Sequence, residues 1–240
     1  MSCKSNGILQ ANDIAIFKNT EVWDLAKAMS NHELDQMKSI LDDGETNIDT
    51  QEPLYGMTLF GWAIDNDYDA EALLLSDYNA NPFITDFDGE SAIIYAAKKH
   101  YMKYQEDSIP SHYLKLCLSS IENSQMNRDT INLHLNKALL VATGNDILST
   151  KLLIKQGANP NFHSSDSTES PLCNAIIAKR FHIVQYLLDS TGAIANSYVK
   201  QPFSFGSNLI SIREYLELSK PSNSSDQAIK NDLLMRYFSN

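Results

Sequence analysis

Two stretches of the sequence, 33 residues apart, carry the same pattern: Gly56-Met-Thr-Leu-Phe-Gly-Trp-Ala-Ile and Gly89-Glu-Ser-Ala-Ile-Ile-Tyr-Ala-Ala. Each begins with a glycine, has a hydroxyl residue two positions later, and continues as an apolar run that contains alanine. A hydroxyl residue in this position caps the free N–H groups of a helix, and small alanines let two helices approach closely. A pattern that returns after about 20–50 residues is typical of a solenoid of stacked units.

The pattern continues towards the C-terminus. The hydroxyl or amide residues that we expect to begin the first helix of each unit are Thr58, Ser91, Asn136 and Ser170, with spacings of 33, 45 and 34 residues. The middle spacing equals one period plus an insertion of 12 residues, which we place near Met102–Ser111 as a surface excursion. An earlier unit, Leu25–Gly44, fits the same frame without the opening motif.

Most units also have a second apolar run that predicts a second helix. The runs Ala72-Leu-Leu-Leu, Leu152-Leu-Ile and Ile183-Val-Gln-Tyr-Leu-Leu all lead into turns. Gly44 and Gly157 are placed to supply the positive φ of a helix C-terminus, and Asn79 is the best substitute for glycine there. The sequence therefore predicts helix-turn-helix units that stack along the chain.

These residues resemble the ankyrin repeat family. The similarity lies in Asp86-Phe-Asp-Gly-Glu-Ser-Ala-Ile-Ile-Tyr-Ala-Ala, in Leu152-Leu-Ile-Lys-Gln-Gly-Ala-Asn-Pro-Asn and in Ser170-Pro-Leu followed by Ile183-Val-Gln-Tyr-Leu-Leu; the stretch 55–64 resembles a bacterial subgroup. The resemblance implies an all-α solenoid of five to six helix-turn-helix repeats. We divide the chain into an N-terminal extension (1–20), five repeats (21–50, 51–85, 86–128, 129–161 and 162–196) and a degenerate repeat or C-terminal helical cap (197–240), with helices over 209–219 and 226–238.

The resemblance also implies where a partner binds, namely on the fingers that connect the repeats and on the inner faces of the first helices. Matched by position, the finger residues are Leu54, Tyr55, Met57, Phe87, Asp88 and Glu90, and the helix exits are Asp65 and Asn66, then Lys98 and Lys99. We add the loop acids Asp67 and Asp69. Two alternatives stay open: Leu54 and Phe87 pack finger against finger, and Trp62 lies either in the core or in the groove.

The charge of the chain is concentrated in one segment. The net charge is −11, yet residues 21–90 hold 17 acidic residues against two lysines, a net of −15, while residues 121–240 have a net charge of +1. Such a field steers a basic partner and sets its orientation, although a solvated, solubilising surface explains it as well. The acidity makes nucleic-acid binding improbable, because a polyanion repels a polyanion.

No catalytic or cofactor motif is present. The sequence lacks a glycine-rich phosphate loop, a paired-histidine zinc motif and a nucleophile elbow, so we expect no enzyme and no cofactor. Asp65, Asp67 and Asp69 have the spacing of the first ligands of a calcium loop, but Ala70 and Ser76 occupy positions where that loop needs glycine and glutamate. We expect Cys117 and Cys173 to be buried small apolar residues rather than reactive thiols.

The location of the protein follows from the apolar runs. None of them approaches the about 18 residues that a membrane helix needs, and the start has no apolar signal segment, so we predict a cytoplasmic protein. We also expect it to be a monomer. If Cys3 is the first residue of a mature lipoprotein, the chain is instead lipid-anchored or periplasmic.

The sequence supports three hypotheses about function. The first is a non-enzymatic module that binds another protein, with a basic surface, through the fingers and the concave helix faces. The second narrows this to a bacterial immunity or antagonist protein that neutralises a toxin or effector. The third is an enzyme with an unrecognised site.

Overall fold

A computed structural model describes residues 9–103, 112–121, 126–163, 169–194, 198–200 and 209–238. The chain divides into two compact units, unit 1 (residues 1–96 and 115–124) and unit 2 (residues 97–114 and 125–240). After a 3-10 helix over Ile14–Phe17, the helices are α1 Trp23–Ser30, α2 Leu34–Asp42, α3 Leu59–Asp65, α4 Asp69–Asp77, α5 Ala92–Lys103, α6 His112–Ser119, α7 Arg128–Thr143, α8 Ile147–Lys155, α9 Pro171–Ile177, α10 Phe181–Ser190, α11 Ile212–Leu218 and α12 Ser224–Phe238. The regular structure of the described residues is thus almost entirely helical, as the sequence predicts.

The repeated cap residues begin helices as predicted. The Thr58 hydroxyl accepts a hydrogen bond from the Gly61 N–H (3.2 Å) at the start of α3, and the Ser170 hydroxyl accepts one from the Cys173 N–H (3.2 Å) at the start of α9. Each cap satisfies a backbone donor that a helix otherwise leaves unpaired. Ser91 is buried directly before α5.

The helix ends also repeat one conformation. Gly44, Asn79, Gly157 and Gly192 have φ of +70°, +62°, +102° and +72°, each within a few residues of the end of a second helix. The turn between the two helices of a unit has its own left-handed residue, at His32, Asp67 and Lys179 (φ +59°, +62° and +58°). Left-handed residues reverse the chain directly after a helix, so these positions produce the alternation of helix and turn.

One predicted cap is wrong. Asn136 lies inside α7, which begins eight residues earlier at Arg128, where the Asn127 side chain accepts the Asp129 N–H (2.8 Å). The Asn136 side-chain oxygen instead accepts the Asn159 N–H (2.6 Å), so it ties the helix to the turn after α8. An asparagine satisfies either role, and the pattern of the other units does not distinguish them.

Unit 1 contains α1 to α4 and the N-terminal 3-10 helix. The 3-10 helix packs on α1, α1 packs on α2, α3 packs on α4, and α2 packs on α4. Its core includes Phe17, Leu25, Met29, Phe60 and Leu75, all of them fully buried. Residues 14–17 were predicted to lie in an N-terminal extension. In the structure they contribute to this core, because Ile16 and Phe17 are almost inaccessible to water.

Unit 2 contains α7 to α12. Helix α7 packs on α8 and α9, and α9 packs on α10. Helices α11 and α12 pack on each other; α11 also packs on α9, and α12 on α10. Leu187, Ile212, Leu216 and Leu233 are fully buried in one cluster. Lys230, buried apart from 7% of its surface, donates to the carbonyl oxygens of Glu217 (2.8 Å) and Ser219 (2.6 Å) and so closes the C-terminal end of α11.

The C-terminal region differs from the predicted helix over 209–219. The first three residues of that predicted helix form a strand, β2 (Leu209–Ser211). This strand pairs antiparallel with β1 (Tyr198–Lys200), so that Val199 lies opposite Ile210. The helix starts only after Ser211, whose hydroxyl accepts the Glu214 N–H (3.1 Å). The backbone groups of Leu209–Ser211 are paired across the strand, which leaves the helix α11 shorter than the apolar pattern indicates.

The predicted insertion lies mostly outside the described residues. Helix α5 continues through Met102 to Lys103, and the rest of the segment, up to residue 111, is not among them. The cysteines match the prediction: Cys117 and Cys173 are fully buried, and burial raises the pKa of both thiols above its usual range. Neither thiol is therefore poised to react at neutral pH.

Candidate functional site

The first finger of unit 1 is organised by a buried carboxylate. Glu52 is 1% exposed, and its two side-chain oxygens accept the backbone N–H groups of Leu54 (2.7 Å), Tyr55 (2.8 Å) and Met57 (2.9 Å). Its own N–H donates to the Met57 carbonyl (3.0 Å), which closes the loop. A charged acceptor makes stronger hydrogen bonds than a neutral one, so Glu52 holds this finger in one shape.

The second finger uses the same device. One Asp86 side-chain oxygen accepts the N–H groups of Asp88 (3.0 Å) and Glu90 (2.8 Å), and the other accepts the Tyr95 hydroxyl. Glu52 stands six residues before Thr58, whereas Asp86 stands five before Ser91. The longer glutamate side chain reaches across the additional residue. Sequence reasoning missed Glu52, and its position one period before Asp86 is the signal that would have revealed it.

The two fingers are joined directly. The Phe87 N–H donates to the Tyr55 carbonyl (2.8 Å), and the Gln51 side-chain amide donates to the carbonyls of Gly56 (2.6 Å) and Thr85 (2.9 Å). Gly56 has φ +76°, and a Cβ on it would lie 2.8 Å from the Phe87 ring. The ring of one finger thus covers the backbone of the other.

The apolar residues predicted at the fingertips differ in exposure. Leu54 is 53% exposed and Phe87 69%, whereas Met57 is only 4% exposed and belongs to the core. Met57 departs from the predicted surface role because its side chain lies in the core, whereas Leu54, whose N–H also bonds to Glu52, presents its side chain to water. Phe87 combines both alternatives, since it packs on Gly56 and still presents most of its surface to water.

Negative charges act on one tyrosine next to the second finger. Burial raises the pKa of Tyr95 well above its usual range, and the bond to Asp86 and the negative charges of Asp86, Glu90 and Asp65 raise it further. The Tyr95 hydroxyl therefore stays protonated and donates to Asp86. Asp65 and Glu90, two predicted site residues that are 25 positions apart, thus both act electrostatically on the same hydroxyl.

Other predicted residues lie elsewhere. Asp67 is exposed in the turn after α3, and Asp69 is exposed as the first residue of α4; both follow the end of α3 that is about 10 Å from its finger end. Asn66 is half-buried, and its side chain donates to the Trp62 carbonyl (2.9 Å). Lys98 is exposed and Lys99 half-buried on α5. Among the described residues, no group of three or more metal-ligating side chains is arranged to hold an ion.

A segment that sequence reasoning did not connect with the site lies against it. The Tyr55 hydroxyl donates to the Leu9 carbonyl (2.7 Å), and the Trp62 indole N–H donates to the Ala11 carbonyl (2.9 Å). Trp62 is 2% exposed, which places it in the core, and Tyr55 is half-buried. A predicted partner residue is therefore already engaged by the chain's own N-terminal segment.

The contact between Gly56 and Phe87 leads to a testable prediction. We expect Gly56→Ala to destabilise unit 1 by about 1–3 kcal/mol, because alanine adds left-handed strain and displaces the largely exposed Phe87 ring from its contact with the backbone. Gly44→Ala is the matched control: Gly44 has φ +70°, and a methyl group added to it would have no atom within 4 Å, so this variant reports the strain alone, about 1–2 kcal/mol. Chemical denaturation measures both variants.

The clash is isolated by a second pair of variants. Phe87→Ala removes the ring, so Gly56→Ala made in that background should cost only the left-handed strain. This cost should equal the loss of stability that Gly44→Ala causes in the natural chain. Equal costs for Gly56→Ala and Gly44→Ala would show that the contact between the ring and Gly56 contributes nothing measurable to stability.

Comparison with solved structures identifies the fold as that of ankyrin repeat domains. The ankyrin repeat domain of Bcl-3, a member of the IkappaB protein family, is 21% identical, with a TM-score of 0.63 over 90% of this chain and 86% of that one. An ankyrin repeat domain from Acinetobacter baumannii AYE is 21% identical, with a TM-score of 0.61 over 88% and 96%. The human ASB11 ankyrin repeat domain is 17% identical, with a TM-score of 0.59 over 90% and 84%.

The similarity extends to the fold and no further. No protein-family profile and no curated protein matches this sequence. No helix in the described part of the chain is long and apolar enough to cross a membrane. The function is therefore argued from the surface of unit 1 itself.

Proposed function

We propose that the chain is a non-catalytic protein-binding module whose partner presents a basic surface to unit 1. The observation that carries this proposal is the pair of joined fingers, which expose Leu54 and Phe87 beside Asp88 within a segment of net charge −15. Exposed large apolar side chains on a rigid support fit the anchors of an interface, and surrounding charges fit its polar rim.

The rigidity of the fingers supports this role. Glu52, Asp86 and Gln51 hold the finger backbone from within, so the loops lose little conformational freedom when a partner binds. Reducing that cost increases affinity without any additional contact. Exposed acids act differently, because they raise the rate of encounter with a basic partner more than they raise affinity.

Charge reversal tests the proposal once affinity purification from the native cell has supplied a partner. We expect Asp67→Lys with Asp88→Lys to slow association, and higher salt to slow it too, since exposed charges are screened over about 8 Å at physiological ionic strength. Phe87→Ala should instead raise the dissociation rate, by a factor that corresponds to about 1–3 kcal/mol. Surface plasmon resonance at low and high salt separates the two effects.

A matched control is available in unit 2. Asp129→Lys with Glu214→Lys changes the net charge of the chain by the same amount at two exposed positions. If both double variants slow association equally, only net charge matters. If neither changes it and salt has no effect, the acidic segment serves solubility, and the contact lies in the near-neutral half beyond residue 120.

The narrower alternative is an immunity or antagonist protein. It requires that the basic partner be toxic and that binding block its active surface. Rescue of growth when the two proteins are produced together, and its loss with the Asp67/Asp88 variant, would support that alternative over a housekeeping scaffold.

A further inference from the structure

Unit 2 contains an open pocket between the C-terminal ends of α9 and α11. Its volume is about 340 Å³. Its walls are mainly apolar and are formed by Ile176 and Ile177 of α9 and by Tyr215 and Leu218 of α11. Leu218 is 63% exposed although it is large and apolar, so the wall that it forms faces water. We call this feature the α9–α11 pocket.

Positive charge lies at the edge of this pocket. Lys179 and Lys220 line it, are exposed, and each follow the end of one of the two helices by two residues. No ion pair joins either lysine to another described residue, and none of the described residues that line the pocket is acidic. Lys230 adds a third positive charge nearby, because its ammonium group lies 2.6 Å from the carbonyl oxygen of Ser219, which is also a lining residue.

The carbonyl groups at the two helix ends do not neutralise these lysines. A helix C-terminus carries a partial negative charge on carbonyls that lack a partner. At the end of α9, however, the carbonyls of Ala175 and Ile176 accept backbone N–H groups of the following turn (2.8 and 3.0 Å). At the end of α11, Lys230 donates to the carbonyls of Glu217 and Ser219. The exposed ammonium groups are therefore available to a carboxylate from outside.

Lys179 also has an unusual backbone conformation for a lysine. Its φ is +58°, in the left-handed region that glycine and asparagine adopt at lower cost. A residue held in such a conformation points to a role for its side chain. It also offers a useful variant, because Lys179→Asn removes the charge while suiting the turn.

We propose that the α9–α11 pocket binds an acidic peptide segment of a partner protein, with one large apolar side chain against the apolar walls and neighbouring carboxylates on Lys179 and Lys220. Burial raises the pKa of Tyr215 above its usual range, so its hydroxyl stays protonated and can donate to a carboxylate as well. This inference goes beyond the proposed function, which concerns unit 1 and a basic partner surface.

The size and openness of the pocket favour a peptide over a free small molecule. Its volume lies near the lower end of the range for ligand sites, about 300–1,000 Å³, and such sites enclose most of their ligand. The α9–α11 pocket is instead open to water at Leu218 and at both lysines. It therefore fits a single side chain that remains attached to a chain outside the pocket.

Three synthetic peptides that carry the same neutral dye test this chemistry. The probe is Asp-Glu-Leu-Phe-Asp-Glu. The first control, Asn-Gln-Leu-Phe-Asn-Gln, keeps the shape without the charge, and the second, Asp-Glu-Ser-Ser-Asp-Glu, keeps the charge without the apolar pair. Fluorescence anisotropy with the full chain measures binding. We expect each control to bind about tenfold more weakly than the probe, and higher salt to weaken binding of the probe, because ion pairs at an exposed site are screened.

Lysine variants locate the binding. Lys179→Asn with Lys220→Asn should weaken binding of the probe by about three- to tenfold, the range expected for two exposed ion pairs. The matched control is Lys151→Asn with Lys155→Asn, which removes the same charge from exposed positions of α8. This control should leave the affinity for the probe unchanged.

A leucine variant tests the apolar wall. Leu218→Ser should weaken binding of the probe by about tenfold, because it removes a contact of the apolar side chain. The matched control is Leu133→Ser, at a leucine of α7 that is 44% exposed. All substituted residues are exposed, so the variants should keep the fold, and circular dichroism checks that they do.

Decanoate distinguishes a peptide from a small amphiphilic acid, since it joins a carboxylate to an apolar chain. We expect it to displace the probe about tenfold less effectively than the unlabelled probe peptide does. Equal displacement would overturn the proposal in favour of a small ligand. No binding of the probe, equal binding of the uncharged peptide, or equal effects of the two lysine double variants would overturn it as well. All of these variants lie in unit 2, so their failure is distinct from a failure of the charge-reversal test on unit 1.

Discussion

Glu52→Ala is expected to lower the free energy of unfolding by about 3–5 kcal/mol. The substitution removes the acceptor of three backbone N–H groups in a side chain that is 1% exposed. The Met57 donor is buried and costs about 1–3 kcal/mol when it is left without a partner. The donors of Leu54 and Tyr55 are part-buried and add less, because water reaches them once the finger loosens. Urea denaturation followed by circular dichroism measures the change.

Two variants make this prediction specific. Glu45→Ala removes the same charge at an exposed position seven residues earlier and should change stability by less than about 0.5 kcal/mol. Glu52→Gln keeps one acceptor oxygen but turns an amide donor towards a backbone N–H, so its cost should fall between the two. A Glu52→Ala protein as stable as the Glu45→Ala protein would mean that the finger does not depend on this carboxylate.

Leu187→Ala and Leu153→Ala are each expected to cost about 2–5 kcal/mol, the usual range for a truncated core leucine. Both side chains are fully buried, Leu187 on α10 and Leu153 on α8. The large effect follows from position in the repeat, because the second helix of a unit packs its leucines against neighbouring helices. Thermal and chemical denaturation of the two variants provide the measurement.

Exposed leucines on two other helices serve as controls. Leu73 on α4 is 48% exposed and Leu218 at the end of α11 is 63% exposed, so alanine at either should cost less than about 0.5 kcal/mol. If Leu153→Ala and Leu187→Ala are equally harmless, the assignment of buried and exposed positions along the second helices is wrong.

The repeat pattern predicted the local structure well where side-chain chemistry has one outcome. Thr58 and Ser170 begin helices because a hydroxyl at that position satisfies a backbone donor. Gly44, Gly157 and Asn79 take positive φ, because glycine and asparagine are among the few residues that tolerate it at low cost. These are properties of single residues and their neighbours, so the sequence suffices to predict them.

The pattern was misleading where one residue type serves two roles. Asn136 was expected to cap a helix and instead lies within α7, where it bonds to the Asn159 N–H. Met57 was expected at the surface, and its side chain instead lies in the core of unit 1. In both cases the outcome depends on which groups the folded chain places beside the residue.

The sequence by itself determined the class of fold, the acidic segment and the finger positions, since each depends on periodicity, charge or a residue with restricted conformations. Only the tertiary structure decided that Glu52 and Asp86 support the fingers from within, that Phe87 covers Gly56, and that the N-terminal segment occupies Tyr55 and Trp62. The last contact leaves no trace in the pattern of side chains, because its acceptors are the carbonyls of Leu9 and Ala11. Every residue carries a carbonyl, so which of them meets a buried donor is set by how the chain folds.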